Sequence, residues 1–217
     1  HSWLKRTALA DWSSQTANLQ RKIGPTSFLG GGIGRYQRFG ARDIELTASL
    51  GASLAPGLRG QIEVGGAPSA DFLPLWYVRP SLSATVTEGT SVLLQGSIRD
   101  YAAGTVSSVN FGIEQYLLDG RLSLTGNFIN TFDPAGKHVT GWNVGASAAV
   151  ADRLMLRVSY ADAPESDAGV VIGARAWSAG VSYDISSRVT LRADFAREKR
   201  ATGSLRDELT IGMALRY

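Results

Sequence analysis

The residues best placed for chemistry fall on one register of an alternating pattern: Arg21, Glu45, Arg59, Glu63, Arg79, Arg99, Glu114, Arg157, Asp184, Arg192, Asp194, Glu208 and Arg216. The same register carries many Ser, Thr and Gly residues. Charges so arranged can line a water-filled passage for hydrophilic solutes. Because both signs are present, they can equally pair across neighbouring strands and fill it. Nucleophilic chemistry has poorer material. His1 and His138 are the two histidines, and His138 lies in Lys137-His138-Val139-Thr140, close to Asp133. A His-x-Thr can mimic a base and its nucleophile, but no third group orients the ring, and no enzyme activity is expected. Cys is absent, so there is no thiolate metal site and no disulfide. No metal or cofactor is expected. Gly30-Gly31-Gly32-Ile33-Gly34 lacks the strand–helix context of a nucleotide loop. The net charge of +3 is small and the basic residues are scattered, which argues against nucleic acid.

Positioning those charges requires strands. At the end of the chain, Leu209, Ile211, Met213, Leu215 and Tyr217 alternate with Glu208, Thr210, Gly212, Ala214 and Arg216. A period of two places all the large apolar groups on one face. The same alternation runs through Ile44–Leu54, Trp76–Val86, Trp142–Val150, Leu154–Tyr160, Trp177–Tyr183 and Val189–Phe195. The pattern predicts strands at 12–22, 25–38, 43–55, 58–67, 75–87, 90–101, 105–118, 121–132, 139–150, 153–162, 170–184, 188–198 and 204–217. The glycines of 30–34 predict a bend or a close contact inside a barrel. Gly212, on the inward face, is expected to admit a neighbouring wall.

No stretch supplies the ~18 apolar residues of a membrane helix. A membrane β-barrel escapes that test because its apolar residues alternate with polar ones. Lipocalin-like barrels and sandwiches alternate too, with the apolar face inside. Three features favour the inverted arrangement. Aromatics recur at strand ends (Trp12, Trp76, Tyr101, Trp142, Tyr160, Trp177, Tyr183, Tyr217), as interfacial girdles require. The polar faces carry Ser, Thr and Gly rather than dense Lys and Glu. The strands are long enough to cross a bilayer at a tilt. Short turns near 24–25, 55–57, 88–89, 119–120, 151–152 and 186–187 are expected to alternate with longer loops near 38–43, 66–75, 99–105, 131–139, 161–170 and 197–205. Short turns on one rim and long loops on the other are a habit of outer-membrane barrels.

The expected fold is therefore all-β, a transmembrane antiparallel up-and-down barrel. Bacterial barrels normally have an even strand count. Residues 2–9 are the candidate for a short first strand, giving fourteen; twelve follows if 1–22 is a linker. One barrel domain is expected over 1–217, with 1–11 either that strand or a connection to something upstream. Fourteen strands ~4.8 Å apart, tilted ~40°, imply a backbone diameter on the order of 28 Å. No loop is expected to be long enough to form a large plug. No apolar h-region follows Lys5-Arg6, so a processed or excised chain is expected.

Thr210-x-Gly212-x-x-Leu215-x-Tyr217 resembles the C-terminal β-signal of outer-membrane barrels. That resemblance implies recognition by the barrel assembly machinery, and a setting among outer-membrane lipid and lipopolysaccharide. A second resemblance rests on the order of short pieces: Asp11-Trp12, Arg38-Phe39-Gly40 followed by Asp43, Phe72-Leu73-Pro74, Arg99-Asp100-Tyr101, and Glu114-Gln115-Tyr116. Together they resemble the YaiO-like outer-membrane barrel family. This resemblance implies fourteen strands and a role near surface-polysaccharide secretion, with periplasmic export components as partners. The function expected is a passive or export-associated pore for hydrophilic molecules. The alternatives are a non-conducting anchor or receptor and, remotely, a lipid-modifying enzyme.

Overall fold

The computed structural model describes the backbone of residues 2–6 and 9–216 and the side chains of 12–216. Among these residues there are fourteen strands: β1 Ser2–Arg6, β2 Leu9–Lys22, β3 Ser27–Arg38, β4 Ala41–Ala55, β5 Leu58–Gly66, β6 Trp76–Thr87, β7 Thr90–Tyr101, β8 Gly104–Leu117, β9 Leu122–Phe132, β10 His138–Ala151, β11 Leu154–Asp167, β12 Val170–Asp184, β13 Val189–Arg200 and β14 Leu205–Leu215. Each pairs antiparallel with its sequence neighbours, and β1 pairs with β14 to close the barrel. β1 closes the ring over its own short length, residues 2–5 against 207–210. Toward the C-terminal end of β14, residues 15–22 of β2 and 212–215 of β14 have ladder partners among the described residues only in β3 and β13.

Register decides which face meets what. Val144 stands opposite Tyr160, Val158 opposite Ala179, and Leu191 opposite Met213. These and most other large apolar side chains point outward and are exposed. The opposite face carries hydroxyls and amides that hydrogen-bond between strands, as with Ser123 and Ser147 at 2.7 Å, or Asn127 and Asn143 at 2.8 Å. Apolar outside and polar inside is the inverse of a soluble barrel and fits a lipid-facing wall. Trp76, Trp142, Tyr160, Trp177 and Tyr183 all stand on that outward face.

The expected alternation of loop lengths is corrected. Most connections on both rims hold two to five residues, because the strands run on past the predicted ends. β11 continues to Asp167 and β13 to Arg200, so 161–167 and 198–200 are ladder rather than loop. The segment 67–75, between β5 and β6, is the longest connection among the described residues. It marks the distal rim. The opposite rim, where β14 ends, is the C-terminal rim. His1 and Tyr217 lie outside the described residues.

Candidate functional site: the lumen and its mouth

The core of the molecule lies in the mouth at the distal rim. Ala67, Tyr77, Tyr101 and Val106 are the buried apolar residues among those described, and all stand near this rim. Two pieces of chain fold inward there. The first is segment 67–75. Asp43 is 1 % exposed, and its carboxylate accepts N–H groups from Asp71, Phe72 and Leu73 at 2.8, 3.0 and 2.8 Å. The Ala67 N–H donates to the Pro74 carbonyl at 3.0 Å and closes the segment's base. Such charge-assisted bonds are about twice as strong as neutral ones, so one carboxylate fixes the segment over the lumen.

The second is the β11–β12 hairpin. Its tip, Ala168-Gly169, has φ of 50° and 85°, the left-handed pair that a two-residue hairpin turn demands. A Cβ at Gly169 would lie 3.1 Å from the Cβ atoms of Tyr101 and Ala103, so the tip touches the turn after β7. Arg38, at the end of β3, forms a two-pronged ion pair with Asp167 near this tip. β3 and β11 are far apart around the barrel, so this pair crosses the mouth.

An ion-pair cluster surrounds it. Arg200 is 7 % exposed and reaches Asp167 at 2.6 Å and Glu198 at 2.8 Å. Its Nη2 lies 2.8 Å from Glu165 Oε2 without hydrogen-bond geometry, so charge alone holds that contact. Arg206 bridges Glu165 and Glu208, each at 3.1 Å. Trp12 sits in the middle: Arg38, Arg206 and Arg200 lie 4.2, 5.1 and 5.7 Å from its ring. Trp12 and Tyr101 are thus mouth residues, correcting their reading as girdle aromatics. The connections among the described residues are too short for a large plug, as expected, yet they cover the mouth. Short elements suffice, because the hairpin and segment 67–75 enter from different sides.

Below the mouth, the structure places Glu45, Arg59, Glu63, Arg79, Arg99, Glu114, Arg157, Asp184, Arg192, Asp194, Glu208 and Arg216 on the inward register. Arg21 is the correction: it stands opposite Leu29, which faces outward, so Arg21 is on the lipid side near the C-terminal rim. Ala17 and Leu19 share its register, and a long basic side chain can reach the headgroup level from there. Several inward charges meet. Arg79 reaches Glu63 at 3.0 Å, and Arg157 reaches Asp194 at 3.1 Å, where Arg192 also binds. Arg216 lies 3.7 Å from Asp184. The Tyr36 and Tyr116 hydroxyls donate to Glu45 and Glu114 at 3.0 and 2.9 Å. Arg99 donates to Ser97 at 3.1 Å. Arg59 makes no ion pair among the described residues. Toward the C-terminal rim, β2 to β7 enclose a cavity of about 720 Å3.

His138 stacks on Phe132 with centroids 4.8 Å apart, and its Nε2 lies 3.1 Å from Asn130 Oδ1. Asp133 caps its own turn, accepting the Ala135 and Lys137 N–H groups. Neither residue is aimed at Thr140. Of the C-terminal pattern, Thr210 and Gly212 face inward and Leu215 outward; Tyr217 is outside the described residues. A Cβ at Gly212 would meet nothing within 4 Å, so the expected close approach of a wall is not there. The glycines of β3 do meet close contacts: a Cβ at Gly34 would strike the Tyr36 ring, and one at Gly32 would strike Asn18.

A closed sheet, apolar outside, with charged and hydrogen-bonded groups within, defines an integral outer-membrane β-barrel. No family model and no curated relative matches the chain. Among solved structures it is similar to the CymD monoaromatic hydrocarbon channel, at TM-score 0.66 and 11 % identity, over 100 % of this chain and 86 % of that one. It is similar to a bacterial polysaccharide outer membrane secretin at TM-score 0.64 and 8 % identity, over 95 % and 81 %. The outer membrane protein Omp33 of Acinetobacter baumannii matches at TM-score 0.61 and 11 % identity, over 99 % and 94 %. At such identities the likeness is one of fold.

Proposed function

We propose that the barrel is a passive, export-associated pore for hydrophilic molecules whose mouth is held shut by separable ion pairs. The observation that carries this is the contrast within one lumen. A cavity of about 720 Å3, lined by polar and apolar side chains together, lies toward the C-terminal rim, while the distal mouth is bridged by Arg38 and Asp167. Opening the mouth returns both charges to water, and the regained hydration offsets much of the lost attraction. Such a closure can therefore open at modest cost, although the same charges would be expensive to leave unpaired while buried. The distal rim then faces the exterior and the C-terminal rim the periplasm. The YaiO-like resemblance, and the fold shared with a protein described as a polysaccharide secretin, favour surface glycan as cargo. The test is liposome swelling with uncharged sugars of graded size. Swelling that falls off with sugar size supports a pore; rates equal to protein-free liposomes for every sugar remove it.

A non-conducting anchor or receptor is the second reading, favoured by the burial of Arg200 in the mouth. In either reading Thr210, Gly212, Leu215 and Tyr217 form the signal for the assembly machinery, and lipopolysaccharide surrounds the distal rim. Deleting Tyr217 should lower the heat-modifiable fraction in cell membranes far more than in detergent-refolded protein. An equal fall in both would make the residue a packing group only.

A further inference from the structure

The cavity at the C-terminal rim holds cations that the fold does not use. Lys22 and Arg59 are its charged lining residues among those described; Arg59 also lines an adjoining space together with Glu114. Neither makes a hydrogen bond or ion pair among the described residues. The inward carboxylates nearby are engaged, Glu63 by Arg79 and Glu114 by the Tyr116 hydroxyl. The hydroxyl leaves the Glu114 charge in place, but Glu114 is not among the residues that line this cavity, whose own charged groups are both cations. Around it stand amides and hydroxyls from Gln20, Gln61, Gln95, Ser81 and Ser83. An aromatic ring completes the lining. Phe28 is on the inward register, opposite Gly51, and a Cβ at Gly51 would collide with the Phe28 ring. Glycine there lets the ring lie against the wall instead of standing into the lumen.

Cations that meet carboxylates, amides and hydroxyls that meet hydroxyls, and an aromatic face that meets apolar C–H surface are what an acidic sugar requires. We infer that this cavity binds a carboxylate-bearing oligosaccharide, with Lys22 and Arg59 taking the carboxylates and Phe28 supporting a sugar ring. The inference deepens the pore reading and rests on it only for the route by which the glycan arrives.

The experiment is titration calorimetry of the detergent-folded full chain with trigalacturonate, maltotriose and sodium sulfate as probes. Trigalacturonate should bind saturably, and at least tenfold more tightly than maltotriose or sulfate. The Lys22→Gln/Arg59→Gln double variant should lose at least tenfold, Phe28→Ala severalfold, and Arg59→Lys less than threefold. Heat-modifiable migration on a gel confirms that each variant is folded; should the double variant fail this, the Phe28→Ala and Arg59→Lys results decide. Absent trigalacturonate binding overturns the site. Equal maltotriose binding overturns the role of charge, and equal sulfate binding reduces the site to one for small anions. Binding by a barrel that does not conduct would remove the pore reading and leave the site standing.

Discussion

At the distal mouth Arg200 is 7 % exposed among three carboxylates, whereas Arg59 lines a cavity of about 720 Å3 with no ion-pair partner. Both are arginines on the inward register of long strands. What separates them is not the strand pattern but what else enters the lumen nearby. At the mouth, segment 67–75 and the β11–β12 hairpin exclude water and bring distant strands into contact. Charges in such surroundings interact strongly and cannot be left unpaired cheaply. At the C-terminal rim the turns after β4 and β6 hold two residues each and stay in the wall. There a cation keeps its water, and with it the freedom to bind something else.

The comparison can be broken most forcefully at Arg200. Arg200→Ala would leave Glu165, Asp167 and Glu198 with only Arg38 and Arg206 to balance them, and should cost about 3–5 kcal/mol of stability. Unfolding in detergent, followed by gel shift against urea, measures this; a cost below about 1 kcal/mol would mean that the mouth is wetter than described. Asp43→Ala comes next. It removes the acceptor of three backbone N–H groups, and should cost about 1.5–3 kcal/mol. It should also expose 67–75 to cleavage by added protease. An uncut variant would show that segment to be held by Phe72 and its neighbours instead. Arg59→Ala is the smallest, expected within about 0.5 kcal/mol of the parent. A large loss there would give Arg59 a structural partner and erase the contrast between the two ends.

Much of the wall was legible in the chain. Alternation of Leu209, Ile211 and Met213 with Glu208, Thr210 and Gly212 fixes both the strand and its faces, because a period of two has no other simple reading. Parity supplied β1, where hydrophobicity is too weak to stand alone. The mouth was harder. Glu165, Asp167 and Arg200 escape the strand pattern because 161–170 and 197–205 read as loops, while Glu198 and Arg206, at the ends of the predicted strands 188–198 and 204–217, are not singled out. A signal was there: Arg157, Ser159, Ala161, Ala163, Glu165 and Asp167 keep a single register to the turn. Polar residues past the membrane band dilute the apolar half of the alternation, and the ear for periodicity fails there before the ladder does. The pairing of Arg38 with Asp167 was beyond reach, since it depends on two strands meeting across a closed ring. The short pieces behind the family resemblance nonetheless mark this place. Trp12, Arg38, Asp43, Phe72 and Tyr101 all assemble at the mouth.

The closure itself is tested by single-channel recording in planar bilayers, comparing the parent chain with the Arg38→Ala/Asp167→Ala double variant. Removing both partners avoids stranding a single charge between the walls. The parent should show small or rare openings, and the double variant frequent openings of larger conductance. An Arg79→Ala/Glu63→Ala control, which breaks a pair in the wall without crossing the lumen, should leave opening frequency unchanged. A double variant as silent as a closed parent, or a parent already as open as the variant, would contradict an ion-paired mouth as the gate of this barrel.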